Sequence, residues 1–240
     1  NMSRFHRTEI LLGKDSLMRL KNSTVIVVGL GGVGGYAAEA ILRAGIGRVI
    51  IADYDKVAPS NINRQILALR CNIGRLKCDV ARERFTEINP EAEIITFTER
   101  VTPSNVQKLL PEKRDNLYAV DAIDEIESKV SLIKLLYSEK IPFVSSMGAG
   151  SRLNPLDIRV DDISKTTHCP LARIIRKRLK EEGIEKGVRC IYSRENLNKF
   201  DAPEEGTRKK SQGSISYMPG IFGLTAAGII INDIIKSHGE

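Results

Sequence analysis

The sequence predicts an α/β fold: a mainly parallel sheet with helices on both faces and a C-terminal antiparallel extension. Three observations predict it. Short apolar runs alternate with helical patterns through the first two-thirds of the 240 residues. A glycine turn, Gly29-Leu30-Gly31-Gly32-Val33-Gly34, joins the first apolar run to the first strong helical pattern. After Gly148-Ala149-Gly150 the alternation gives way to short strand candidates around one basic helix. A βαβα order makes strands parallel, because each crossover helix returns the chain to the same end of the sheet.

Strands are expected at 25–29, 48–52, 93–97, 117–121 and 141–145, the last entered through Pro142. Between the first two, residues 33–45 carry Val33, Tyr36, Ala37, Ala40, Ile41 and Ala44 on one helical face. Residues 74–88, 103–110 and 126–138 read as further helices; Asn89-Pro90 stops the first and Pro103 starts the second. Beyond Gly150, residues 157–160 predict a short antiparallel strand, and Pro170 opens a helix over 170–182. That helix has an apolar stripe of Leu171, Ile174, Ile175 and Leu179, with Arg173, Arg176, Lys177 and Lys180 on much of the remainder. A strand at 188–192 follows. Residues 193–214 are polar, include the basic run Arg208-Lys209-Lys210, and are expected to form a mobile loop. The final helix, 219–236, is apolar nearly all round, which suits a core position or a subunit interface. Nothing marks a linker. One domain is expected over 1–240, with a nucleotide-binding core at 4–150 and a substrate and dimer extension at 151–240.

Composition narrows the class. With 42% apolar and 28% charged residues the chain fits an ordinary soluble protein, and its net charge of +7 favours an anionic partner. Cys71, Cys78, Cys169 and Cys190 form no CxxC pair, which argues against a four-thiolate zinc site. So few cysteines also fit a reducing compartment. Arg4, His6, Arg7 and Glu9 precede any apolar run, so no secretory leader is expected. The most apolar segment, 221–231, is shorter than the roughly 20 residues that span a bilayer. A cytoplasmic protein with no membrane partner is expected.

The motifs point to a nucleotide. A buried strand, a glycine turn and a helix N-terminus present unpaired N–H groups and a positive dipole end to phosphate. Gly29, Gly31 and Gly32 let the backbone approach that anion. Asp53 lies 19 residues after Gly34, spaced to accept hydrogen bonds from a ribose. Asp55, Asn61, Arg64, Gln65 and Lys77 follow, a cluster for which a dehydrogenase has no evident need. Arg64 and Lys77 can supply fixed positive charge to a triphosphate undergoing displacement at its α-phosphorus. Asp121 and Asp124 stand at the end of a strand, where open α/β sheets place ligands. Asp124 is the better candidate for Mg²⁺, a hard cation that takes carboxylate and phosphate oxygens; Asp121 serves equally as a nucleotide contact or a cap for the following helix. Cys190 reads as a core thiol. Cys169, ahead of a helix N-terminus, reads as a core thiol or a reactive one.

Taken together, Arg4-Phe5-His6-Arg7, the glycine motif, Asp53-Tyr54-Asp55, residues 60–65, Ile73-Gly74-Arg75-Leu76-Lys77 and residues 121–124 resemble the E1-like (ubiquitin-activating, ThiF-type) adenylating superfamily over most of 4–150. The resemblance implies a Rossmann-like fold and a homodimer in which Arg7 reaches the partner's ATP site as a finger. It also implies ATP contacts from Asp53, Asn61, Arg64, Gln65 and Lys77, and Mg²⁺ on Asp124. Members that activate sulfur carriers usually carry two CxxC pairs, which this chain lacks. Residues 147–152, 158–163 and 170–172 look instead like the branch that dehydrates N6-threonylcarbamoyladenosine at position 37 of tRNA. In that branch ATP activates the threonyl carboxylate and AMP and pyrophosphate are released. Glu125, where the family often has Asn after the Mg²⁺ aspartate, fits that branch better. The expected partners are tRNA carrying this nucleoside, a second copy of the chain and a sulfur-transfer protein. The alternatives are adenylation of the C-terminal glycine of a ubiquitin-like sulfur carrier, non-catalytic nucleotide sensing, and NAD-dependent dehydrogenation.

Overall fold

Runs such as Val25-Ile26-Val27-Val28 are apolar on both faces, and such strands are stable only where helices cover the sheet on each side. In the computed structural model, which describes residues 3–197, 202–203 and 210–236, they occupy the centre of a seven-stranded sheet. The chain runs α1 (His6–Leu12), α2 (Lys14–Lys21), β1 (Thr24–Val28), α3 (Gly34–Ala44), β2 (Arg48–Ala52), α4 (Lys77–Ile88), β3 (Glu93–Phe97), β4 (Leu117–Asp121) and α5 (Ile126–Ser138). It continues through β5 (Phe143–Ser146), β6 (Ile158–Asp162), α6 (Pro170–Glu181), β7 (Arg189–Ser193) and α7 (Met218–Lys236). The spatial order is β3-β2-β1-β4-β5-β7-β6, parallel throughout except for the antiparallel pair β6–β7. Inside the expected loop at 193–214, Ala202–Pro203 pairs with Lys210–Ser211. Arg208 and Lys209 lie outside the described residues.

Alternation along each strand divides the core. Val25, Val27, Val49 and Ile51 face α3, α4 and α7, whereas Ile26, Val28, Ile50 and Ala52 face α5 and α6. Helix α7 has the length and composition of a membrane span, longer than the apolar segment 221–231 suggested. Half of it is buried, with Met218, Phe222, Ala226, Ile230 and Ile234 in the core.

Two expectations change. Residues 103–110 form a single 3₁₀ turn, Val106–Leu109, because seven residues between Pro103 and Pro111 are too few to repay helix nucleation. Helix 74–88 begins at Lys77, since Gly74, Lys77 and Val57 instead bond Val57, Asp55 and Arg75 respectively through their N–H groups. Helices α1 and α2 precede β1, in a stretch for which no element was predicted.

Registry positions the site. Val28 pairs with Ala52 on one side and with Asp121 on the other, so the loops after β1, β2 and β4 leave the sheet side by side. The chain turns outward in opposite directions from β1 and β4, which opens a crevice at the carboxyl ends of the strands.

Candidate active site

A cavity of about 570 Å³ occupies this crevice and extends past β4 to the loop after β5. At its start the chain leaves β1 through Gly29, whose φ of +90° is one that residues with a Cβ rarely adopt. A Cβ on Gly29 would lie 2.6 Å from the Ala122 carbonyl oxygen, and one on Gly34 only 1.7 Å from the Gly29 carbonyl oxygen. The first glycine therefore lets the β1 and β4 loops touch, and the last lets α3 start directly beneath the turn. Gly29, Gly31 and Gly32 all line the cavity.

Asp53, just past β2, is held by two backbone donors: Leu30 N–H at 2.6 Å and Asp55 N–H at 2.8 Å. Burial pushes its carboxyl pKa up, opposed by the Lys77 ammonium and these N–H bonds. Each oxygen keeps a lone pair for a further donor. Lys77, 5% exposed at the start of α4, places its Nζ 3.0 Å from Asp55 and 3.9 Å from Asp53. The two carboxylates fix the ammonium at the cavity wall.

Across the cavity, the 3₁₀ turn Pro59–Asn61 is tied by Asn61 Oδ1, which accepts from Ala58 N–H at 3.0 Å. Arg64 donates to the Ser60 carbonyl and to Asn63 Oδ1 at 2.9 and 2.8 Å. Gln65 is 8% exposed, and its Oε1 has no hydrogen-bond partner among the described residues. An orphaned buried acceptor beside a glycine cradle is what a bound nucleotide would satisfy. Asn61, Arg64, Gln65, Asp53, Asp55 and Lys77 all face the same space.

Asp124 stands on the cavity wall, exposed, with no ion pair among the described residues. No cluster of three or more His, Cys, Asp or Glu side chains exists among the described residues. A divalent cation here would therefore depend on Asp124 plus phosphate and water, the pattern usual for Mg²⁺ at phosphate sites. Glu125, at the N-cap of α5, is bound instead by Arg100 and Ser128.

Asp121 does not reach the cavity. It is fully buried, accepting from Ser145 Oγ at 2.6 Å and Ile123 N–H at 3.1 Å and pairing with Lys129 at 2.8 Å. As the last residue of β4 it turns its side chain beneath the loop, so it organises residues 121–124 where a nucleotide contact was expected. Lys129, unremarked in the sequence, also donates to the carbonyls of Ile123 and Ser146 at 2.9 and 2.7 Å, tying the β4 and β5 loops together. The available signal was a lysine beside Val130, Leu132 and Ile133 in a buried stripe. Arg7 lies on α1, exposed and outside this cavity.

The far end of the cavity is made by Gly148–Gly150, Arg152, Cys169 and the side chain of Gln212. Cys169 is 6% exposed at the N-cap of α6. Cys190 is a core thiol whose pKa burial raises. On α6, Arg173 and Lys177 are exposed, but Arg176 is tied to the Ile163 and Thr166 carbonyls and to Thr166 Oγ1.

Comparison with known proteins agrees with this geometry. A model described as the ThiF family matches residues 5–239. The tRNA threonylcarbamoyladenosine dehydratase of Bacillus subtilis (strain 168) is 38% identical over 245 residues, covering 98% of this chain and 96% of that protein. The E. coli tRNA N6-threonylcarbamoyladenosine dehydratase, solved in complex with ATP, matches with a TM-score of 0.89 at 36% identity, covering 98% of this chain and 95% of that one. An adenylyltransferase and sulfurtransferase of Aedes aegypti is 36% identical, but over only 60% of this chain and 33% of that protein.

Proposed function

The chain belongs to the ThiF family, and from that premise we propose that it uses ATP to adenylate the threonyl carboxylate of N6-threonylcarbamoyladenosine at position 37 of tRNA, then closes the ring with net loss of water. The observation that carries this reading is the one cavity on which the glycine turn, Arg64, Lys77 and Asp124 converge.

A carboxylate is a poor acyl donor because its leaving group would be oxide. Attack of a carboxylate oxygen on the α-phosphorus of ATP forms a C–O–P link, breaks the bond to the β-phosphate and releases pyrophosphate. The neighbouring ureido group then bonds to the activated carbonyl and gives up a proton, and AMP leaves. The chain's part is binding and charge. Backbone N–H groups at the start of α3 and the cations of Arg64 and Lys77 hold the phosphates as charge shifts between them. Asp53 accepts from the ribose, with Asp55 keeping Lys77 in place, while Asn61 and Gln65 supply further polar contacts. Positioning and electrostatics suffice, and no protein nucleophile is invoked. Mg²⁺, when bound, would be held by Asp124 and would offset charge on the leaving pyrophosphate.

Several finer features belong to the same reading. The chain works as a homodimer in the cytoplasm, as one domain, with Arg7 completing the partner's ATP site. Exposed apolar residues on α1, Ile10 at 71% and Leu11 at 81%, support coverage by a second copy. Arg173 and Lys177 supply a phosphate track for tRNA. The test is pyrophosphate release from ATP. It should require tRNA carrying the modified nucleoside; release that requires a ubiquitin-like carrier protein instead would select the alternative substrate.

A further inference from the structure

Arg152 is 1% exposed, and its guanidinium is far from satisfied. Nη2 donates to the His168 carbonyl at 2.6 Å, while Nε and Nη1 are buried with no hydrogen-bond partner among the described residues. Leaving donors of a buried cation unpaired is costly, and folds retain such a group where a ligand completes it. Burial lowers the Arg152 pKa, and the neighbouring Cys169 side chain, through a weak sulfur contact, and Glu195 only partly offset it. The residue lies on the wall of the same cavity as the glycine turn, at the β5 end, with Asp124 on the loop between. A molecule reacting at the α-phosphate must occupy that end, because the β1 and β2 loops take the nucleotide.

We infer that Arg152 is the binding residue for the substrate carboxylate, its free Nη1–H and the adjacent second N–H of Nη2 forming an end-on, two-pronged donor to the acid that becomes adenylated. A planar guanidinium matches a carboxylate in this way, whereas an amide or ester offers no anion. The backbone prepares the approach. Gly148 and Gly150 leave this wall without side chains, and the exposed Gln212 packs where a Cβ on Gly150 would stand, 2.9 Å away.

The inference rests on the adenylation reading and has its own test. Anticodon stem-loop RNAs are prepared with N6-threonylcarbamoyladenosine, with its threonyl carboxamide, and with plain adenosine, and their affinities are measured by fluorescence anisotropy with a non-hydrolysable ATP analogue present. Wild type should bind the acid about ten- to a hundredfold tighter than the amide, the worth of a charge-assisted hydrogen-bond pair. Arg152→Met should bring acid, amide and plain RNA to equal affinity while ATP-analogue binding stays within about twofold, and Arg152→Lys should recover part of the preference. Equal binding of acid and amide by wild type overturns the inference whether or not the variants fold. Full discrimination by a folded Arg152→Met also overturns it and leaves Arg152 as a tie to the His168 turn. Pyrophosphate release by wild type on the acid RNA reports separately: its absence with discrimination intact refutes adenylation and keeps the carboxylate site.

Discussion

Replacing Lys129 with Met tests whether the loops that carry the site are held by one buried ion pair. The substitution conserves volume and removes the ammonium that contacts Asp121, Ile123 O and Ser146 O at 2.8, 2.9 and 2.7 Å. Asp121 would keep Ser145 Oγ and Ile123 N–H but lose its counter-charge at 0% exposure. Breaking such a pair from one side costs about 3–5 kcal/mol, and in a domain of this size about 2–4 °C of melting temperature follows each kcal/mol. The expected drop is therefore about 6–20 °C by differential scanning fluorimetry. Adding Asp121→Leu should recover a large part of it, because the stranded charge and not the lost contacts dominates. A fall of less than about 2 °C in Lys129→Met, or no recovery in the double variant, would refute the reasoning.

Three further outcomes are expected. Asp124→Ala should keep its melting temperature within about 1 °C, as an exposed side chain without an ion pair, yet lose at least about a hundredfold in pyrophosphate release; near-normal turnover removes Asp124 from the metal role. Mixing inactive Arg7→Ala and Arg64→Ala subunits should restore part of the activity by pairing one intact site with one intact finger, and no recovery in confirmed mixed dimers counts against a finger acting across the dimer. Glu39 is pushed up by burial, but hydrogen bonds from Arg84 and Arg43 outweigh this and hold its pKa below the usual carboxylate value. A depressed folded pKa stabilises above the unfolded pKa, about 4.3. The advantage over Glu39→Gln, about 1–2 kcal/mol at pH 7 after screening of the half-exposed arginines, should fade as pH falls through the folded value. Denaturant melts stepped downward from pH 7 measure it; an advantage that does not shrink at all as the pH is lowered contradicts the assignment.

Much of this was legible in the chain because each signal was local. Strand runs, the glycine turn and Pro170 act within a few residues, so β1 to β4 and α6 lie within about two residues of expectation. Asp53, Arg64 and Lys77 could be grouped because they follow one strand in close succession. What was hidden depends on pairing between distant segments. Helix α4 starts late because residues 55–57 capture its first turn, and no periodicity reports that. Asp121 turned inward because a lysine eight positions later waits under the loop. Arg152 entered the sequence reading only as the end of the 147–152 motif, and only its burial and its bond to the His168 carbonyl show a buried guanidinium.

The central claim is that a carboxylate oxygen attacks the α-phosphorus of ATP in this cavity. Tracing that oxygen tests it most directly: the threonyl carboxylate of the modified tRNA is labelled with ¹⁸O, and the nucleotide product is examined by mass spectrometry after a single turnover. One ¹⁸O in the phosphate of AMP, with unlabelled pyrophosphate, is the predicted result. ADP with labelled phosphate, or AMP free of label, would contradict the account.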